Sequence, residues 1–289
     1  MSFTLIVDSG SNLPQRKLKE HNIQVLSFPF VVDGQPTESP KYPDGFDGHS
    51  FYTRLKAGMT VTTSLINTDA FLRAFRAEAE AGRDVMYVGI SSGITGTVQA
   101  ARIAAAEVME EFPDRTVEVV DSKGAGLGTG ILALRATDYR AEGLTVTQAA
   151  IKLRYDAENL CEYFTVDDLH FLRRTGRLSG AAAAIGTMLQ IKPMLRGDEE
   201  GHIVVCGKIR GRKKAIDELA AIYKKKVVDA ARQRIAISHG DCLEEALRLA
   251  QRLKEIAMPR ELILSMHEPL TGSHVGPGML SIFFFGAGR

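Results

Sequence analysis

The chain has 289 residues, 45% hydrophobic and 25% charged, the make-up of a folded globular protein long enough for two domains. A net charge of +1 gives no global attraction for nucleic acid, and three isolated cysteines, Cys161, Cys206 and Cys242, suggest neither a disulfide framework nor a zinc cluster. The opening MSFTLIVDSGSNLP has no basic region ahead of an apolar one, and no apolar run nears the ~20 residues of a membrane helix, so a cytoplasmic protein is expected.

In chain order, residues 4–7 read as a short buried strand that stops at Asp8-Ser9-Gly10-Ser11. Ser11 or Asn12 is placed to cap a helix with Pro14 in its first turn. Ile23–Leu26 reads as a second strand, and residues 33–48, rich in Gly, Pro and Asp, as a long surface loop. Thr68 or Asn67 caps a helix whose apolar face holds Phe71, Leu72, Phe75 and Ala79, and Gly82 ends it. A strand over 85–90 leads into a helix over Thr97–Glu111, and a strand over 117–120 closes at Asp121-Ser122.

Strand, polar loop and helix thus recur, which argues for βαβ units and a parallel sheet flanked by helices. Ligands of such sheets bind beyond the carboxyl ends of the strands. Asp8-Ser9, Ser91-Ser92-Gly93 and Asp121-Ser122 all fall at those ends. The second half reads as a helix over 147–158, a strand over 162–166, the basic stretch Arg173-Arg174-Thr175-Gly176-Arg177 and an Ala-rich helix over 180–189. A hairpin follows, with 191–195 and 202–209 flanking the turn 197–201. A long charged helix, a strand over 235–238, a further helix and a final strand around Ile282-Phe283-Phe284-Phe285 complete the chain. The expected division is an N-terminal α/β domain over 1–160 and a second α/β domain over 161–289.

Gly89-Ile90-Ser91-Ser92-Gly93 satisfies the G-x-S-x-G pattern of a nucleophile elbow, with Asp241 and His274 following in α/β-hydrolase order. A serine hydrolase using Ser91 or Ser92 with His274 is therefore the alternative reading. Against it, Ser91 to Gly96 is long for a sharp elbow, and no HGGG-type oxyanion segment lies upstream. The glycines of Gly124-Ala125-Gly126-Leu127-Gly128-Thr129-Gly130 miss the dinucleotide spacing: counted from Gly124 the third position is Thr129, and counted from Gly126 it is Ile131. Close backbone packing at a helix start explains them better. A binding reading uses the hydroxyls and amides of Ser91 to Thr97 at a helix N-terminus, which suit an anion. Thr62-Thr63-Ser64 is a second hydroxyl cluster, and His274 lies in the glycine-rich stretch Gly272 to Gly278, read as a loop.

Val7-Asp8-Ser9 with Leu13-Pro14, Thr63-Ser64, the run Ile90 to Thr97, Val120-Asp121-Ser122, Gly176-Arg177-Leu178-Ser179, Ile191-Lys192-Pro193 and the run Gly272 to Gly278 together resemble the successive motifs of the DegV family, in order over nearly the whole chain. The resemblance implies a two-domain α/β protein, an N-terminal parallel sheet plus a second domain with a mixed sheet. It also implies one long-chain fatty acid held in a buried tunnel between or beside the domains. Bacterial members of the FakB kind present the acyl carboxylate to a separate fatty acid kinase, so the chain would be a lipid-binding subunit with no catalytic residues, metal or cofactor of its own. Carried over, the carboxylate ligands are Thr63, Ser64, Ser92 or Ser91, Gly93 and His274, with Arg210 near the head group. Arg173, Arg174 and Arg177 are the expected kinase contacts. The reading has no place for nucleic acid or a transmembrane segment and leaves room for transient membrane contact. Leu65-Ile66-Asn67 stands where many members have Gln-Pro-Ser, and Thr175 where a glycine is usual.

Overall fold

The computed structural model describes residues 3–178 and 190–289. The Ala-rich helix expected over 180–189, and Ser179, lie outside the described residues. The strands are β1 (Thr4–Asp8), β2 (Ile23–Leu26), β3 (Pro29–Val32), β4 (Gln35–Glu38), β5 (Val61–Thr63), β6 (Val85–Gly89), β7 (Val117–Asp121), β8 (Leu160–Thr165), β9 (Ile191–Gly197), β10 (Ile203–Arg210), β11 (Arg234–His239), β12 (Glu261–Met266) and β13 (Leu280–Phe285). The helices are α1 (Gln15–Glu20), α2 (Gly48–Lys56), α3 (Thr68–Glu80), α4 (Thr97–Glu111), α5 (Leu127–Ala141), α6 (Val146–Glu158), α7 (His170–Arg174), α8 (Arg212–Lys226), α9 (Leu243–Ile256) and α10 (Pro269–Val275).

Strands β2-β1-β6-β7 form a wholly parallel sheet. Strands β10-β9-β8-β13-β11-β12 form a mixed sheet in which, of the pairings described, only β11 with β12 is parallel. The fold is thus the mixed α/β arrangement expected. Helices α3 and α4 cover one face of the parallel sheet, where Phe71, Phe75 and Val98 pack with Ile6 and Tyr87. Helices α8 and α9 cover the outer face of the mixed sheet, where Leu219, Tyr223 and Leu249 meet Ile237 and Phe284.

Helix α5 lies between the two sheets. Ten of its fifteen residues are buried, including every residue from Leu127 to Leu134, and its partly exposed Arg135, Asp138 and Arg140 lie in its second half. Leu132, Ala133 and Leu134 share one apolar cluster with Val7 and Val88 of the first sheet and with Ala236 and Phe283 of the second. The strands of the parallel sheet all precede residue 160 and those of the mixed sheet all start at or after it, but the apolar core runs across that point.

Two local expectations are corrected. Residues 33–48 are not simply a loop. They hold β4, a 3-10 turn over Pro43–Gly45 and the first residue of α2, while β3 and β5 pair with each other in a small antiparallel sheet. Pro36 confines β4 to the edge of that sheet, which hid the strand among turn-forming residues. Neither Ser11 nor Asn12 caps α1, which starts after Pro14 without a side-chain cap. Asn12 instead takes a left-handed conformation (φ 56°) and reaches across the molecule. Its Nδ2 donates to Ser238 Oγ and to the Met266 carbonyl, each at 3.2 Å, and its Oδ1 accepts the Glu268 N–H at 2.9 Å. By contrast, Asn67 caps α3 as expected, its Oδ1 accepting the Ala70 N–H at 3.0 Å.

Asn12→Ala should therefore lower the free energy of unfolding by about 1–3 kcal/mol in urea titrations, because it strands the buried Glu268 amide and imposes a left-handed conformation on alanine. An unchanged midpoint would show that the bridge contributes nothing.

Candidate functional site

About 720 Å³ of space free of protein atoms, part of it open to solvent, lies where the carboxyl ends of the parallel sheet face the mixed sheet. Phe28, Ile90, Ile94, Phe164, Leu270 and Phe283 make most of its wall apolar. The polar groups on it include a set near Thr63 and His274 and a pair formed by Glu162 and His267.

His274 is carried by helix α10, not by a loop as the glycines around it suggest. Proline at its start and Glu268 as N-cap fold this short helix: the Glu268 carboxylate accepts the N–H groups of Leu270 at 2.5 Å and Thr271 at 2.8 Å. Gly272 can sit inside the helix because the Tyr52 hydroxyl fills the place of a side chain there. His274 Nε2 lies 2.9 Å from Thr63 Oγ1, at the end of β5. Its Nδ1 is buried and has no hydrogen-bond partner among the described residues. Burial, and then the positive fields of Arg177 and Arg174, hold its pKa down to about 4, so the ring is neutral at pH 7. A carboxylate placed beside it would oppose both arginine fields and satisfy a proton on Nδ1.

Thr63, Ser64, His274 and Arg177 all line the cavity. Ser91, Ser92, Gly93 and Arg210 are not among its lining residues. Ser91 is buried, its Oγ donating to the Gly201 carbonyl at 2.8 Å and accepting the Gly93 N–H at 3.0 Å. Ser92 is exposed, and its N–H donates to Asp121 Oδ1 at 3.2 Å. Gly93 has no room for a side chain: a Cβ would lie 2.7 Å from the Gly201 carbonyl carbon in the β9–β10 hairpin. From this loop it is Ile94 and Thr95 that reach the cavity. Arg210 is exposed at the end of β10, opposite Ile191. Arg173 and Arg174 are exposed at the end of α7, with Arg174 stacked 5.6 Å above the Phe171 ring.

The groups of the hydrolase reading are held apart by their partners. Ser91 Oγ is bonded to Gly201, His274 Nε2 to Thr63, and Asp241 Oδ2 lies 2.9 Å from His49 Nδ1. The three strand-end motifs do converge, as expected, but chiefly to hold one another. Asp8 Oδ2 accepts the Tyr87 hydroxyl at 2.7 Å and the Ile90 N–H at 3.0 Å, and burial pushes the Asp8 carboxyl up to about 6. Asp198, Glu200 and His202 lie together with metal-type ligand atoms, but Asp198 Oδ1 already holds the hairpin turn by accepting the Glu200 and His202 N–H groups.

Sequence reasoning missed Glu162 and His267. Glu162 left one signal, a single charged residue in the otherwise apolar or neutral strand LCEYFT. The glycine-rich turn after β7 packs on both residues. A Cβ on Gly124 would lie 2.9 Å from Glu162 Oε2, and one on Gly126, which has φ 56°, would lie 2.5 Å from His267 Cε1. This is the close backbone packing that the failed dinucleotide spacing pointed to.

Fold and site define a mixed α/β protein with an apolar slot and polar groups at a few points on its wall. The family model described as "Uncharacterised protein, DegV family" matches residues 2–287, and the chain belongs to the DegV family. It is 33% identical over 288 residues to a DegV domain-containing protein of Clostridium perfringens, covering 98% of this chain and 97% of that one. It is 35% identical to one of Lactococcus lactis, over 98% and 97% of the two chains. Among solved structures, it superposes on a DegV family protein of Thermus thermophilus described for its fatty acid binding, with a TM-score of 0.88, 29% identity and coverage of 99% and 100%. DegV of Bacillus subtilis, described as a fatty acid binding protein, matches with a TM-score of 0.84, 29% identity and 98% coverage of each chain. Among the described residues, no helix is long and apolar enough to cross a membrane.

A fluorophosphonate probe should leave this protein unlabelled, because the Ser91 hydroxyl is buried, donates its proton to a carbonyl, and has no imidazole or carboxylate bonded to it among the described residues. Stoichiometric labelling abolished by Ser91→Ala or Ser92→Ala would restore the hydrolase.

Proposed function

We propose that this protein binds a long-chain fatty acid in the cavity and presents the carboxylate to a partner fatty acid kinase for acyl phosphate formation. The observation that carries the reading is the Thr63–His274 pair, with a buried Nδ1 that has no partner among the described residues, on the wall of a mostly apolar cavity. The Thermus and Bacillus neighbours, described as fatty acid binders, align over nearly the whole chain and support it.

The energetics favour such a ligand. Each buried methylene contributes about 0.8 kcal/mol, so a 16-carbon chain gains roughly 12 kcal/mol before entropy losses. The carboxylate receives charge-assisted hydrogen bonds from Thr63, Ser64 and His274, within the positive field of Arg177. In this reading Arg177 takes the head-group place that the family resemblance gave to Arg210. Ser91, Ser92 and Gly93 shape the loop that brings Ile94 and Thr95 to the slot. The protein performs no bond-breaking step itself and takes no cofactor.

Native mass spectrometry of protein purified from cells should show a discrete mass excess equal to one fatty acid. Thr63→Ala and His274→Ala should each weaken binding by about 1–3 kcal/mol, the range for losing a hydrogen bond to a charged group. Unaltered affinity in the double variant would remove the carboxylate site from this place.

The kinase contact has its own test. Arg173 and Arg174 are exposed beside Arg177 and do not line the cavity. Reversing both to Glu should slow acyl phosphate formation by a cognate kinase, most at low salt, with fatty acid affinity unchanged. Arg177→Glu should reduce affinity as well, because Arg177 lines the cavity. Equal phosphorylation rates for the Arg173/Arg174 double variant and the unaltered chain at low salt would place docking elsewhere.

A further inference from the structure

Two polar groups on the cavity wall, Glu162 and His267, have no part in holding a carboxylate at Thr63 and His274. His267 is 4% exposed. Its proton can be placed from its neighbours. Thr271 Oγ1 donates to Glu268 Oε1 at 2.5 Å, so that hydroxyl has already committed its proton. The 2.8 Å bond between Thr271 Oγ1 and His267 Nε2 is then made by a proton on Nε2. Nδ1 remains a bare acceptor, buried and without a partner among the described residues. Burial, with the nearby His239, holds the His267 pKa down to about 3, so the ring does not protonate to relieve this.

Glu162 packs on the same glycine turn and lines the same cavity. Its Oε2 accepts the Ala125 N–H at 3.1 Å, and its Oε1 has no hydrogen bond among the described residues. Burial pushes its carboxyl up to about 7 against the field of Arg289, so at neutral pH it is protonated much of the time and can donate. Gly124 and Gly126, two residues apart, contact Glu162 and His267 respectively. A bare acceptor and a carboxyl thus pack on one short turn, on a wall whose other polar groups are Thr63, Ser64, Thr95, Arg177, Thr271, His274 and Ser281.

We propose that Glu162 and His267 form a second polar subsite that takes a hydroxyl group carried on the acyl chain, so that the preferred ligand class is a hydroxylated fatty acid. The inference rests on the fatty acid reading above. The hydroxyl donates its proton to His267 Nδ1, and its oxygen accepts from Glu162. A plain methylene chain at this point desolvates both groups without pairing them, which is unfavourable. A keto group offers an acceptor only and leaves Nδ1 unsatisfied.

The test is a competition series on the unaltered protein: hexadecanoic acid, its hydroxylated positional isomers, and the keto analogue of the best isomer. One narrow range of positions should bind about tenfold or more tightly than hexadecanoic acid, the gain expected for pairing a buried polar group. The keto analogue should lose that gain. Glu162→Leu and His267→Phe should each abolish the preference while hexadecanoic acid still binds; if either variant fails to fold, the isomer series decides alone. If hexadecanoic acid binds and no hydroxylated isomer binds more tightly, the subsite is overturned and the fatty acid reading stands. If none of these acids binds, the fatty acid reading falls and the subsite with it.

Discussion

The carboxylate of Glu268 organises this site. It is fully buried, and burial raises its pKa to about 7, so it is held only because three donors converge on it. The Leu270 and Thr271 amides start helix α10 on it, and the Thr271 hydroxyl adds a third bond. The amide of Glu268 is in turn held by Asn12, from the end of the first strand's loop. Through α10 this arrangement positions His274 against Thr63, and through Thr271 it sets the tautomer of His267. One buried carboxyl group therefore orients both histidines of the cavity without touching either ring.

The glycine turn after β7 complements it from the opposite side. Its missing side chains let α5 begin directly against His267, Glu162 and Phe283. The cavity thus draws its polar points from the mixed sheet, α10, the end of β5 and the turn after α7, and it is closed in part by the parallel sheet's connecting turn.

Much of the fold was legible because it is locally encoded. The apolar stripe Phe71, Phe75 and Ala79 marks α3, and alternation of strand, polar turn and helix marks the parallel sheet. Helix α5 was legible only as a helix start, because its first half, Leu127 to Leu134, is buried all round and shows no amphipathic stripe. The short strands β3 and β5 escaped because four and three residues, though β-favouring, are too few to show a clear alternation. At the site, Thr63 and His274 were legible as hydroxyl and imidazole in polar, glycine-rich surroundings. Ser91 was the misleading residue. Its hydroxyl looks free in the sequence, but its partner is a carbonyl 110 positions away. Likewise, whether Arg177 or Arg210 reaches the cavity depends on the path of the chain between β8 and β10, which no local pattern encodes.

The continuous core around α5 bears on how a ligand gets in. A cleft between two freely hinged halves opens by rotation of one against the other. Here both walls of the slot are locked to the same helix, and swinging them apart would expose Leu132, Ala133 and Leu134 to water. Among the described residues, the Ser64-Leu65 turn on the cavity wall is a piece already open to water, with Leu65 45% exposed, whereas six of the seven residues of α10 are buried. For the ligand proposed above, loading would then be a local movement at the rim of the slot, with the scaffold behind it unmoved.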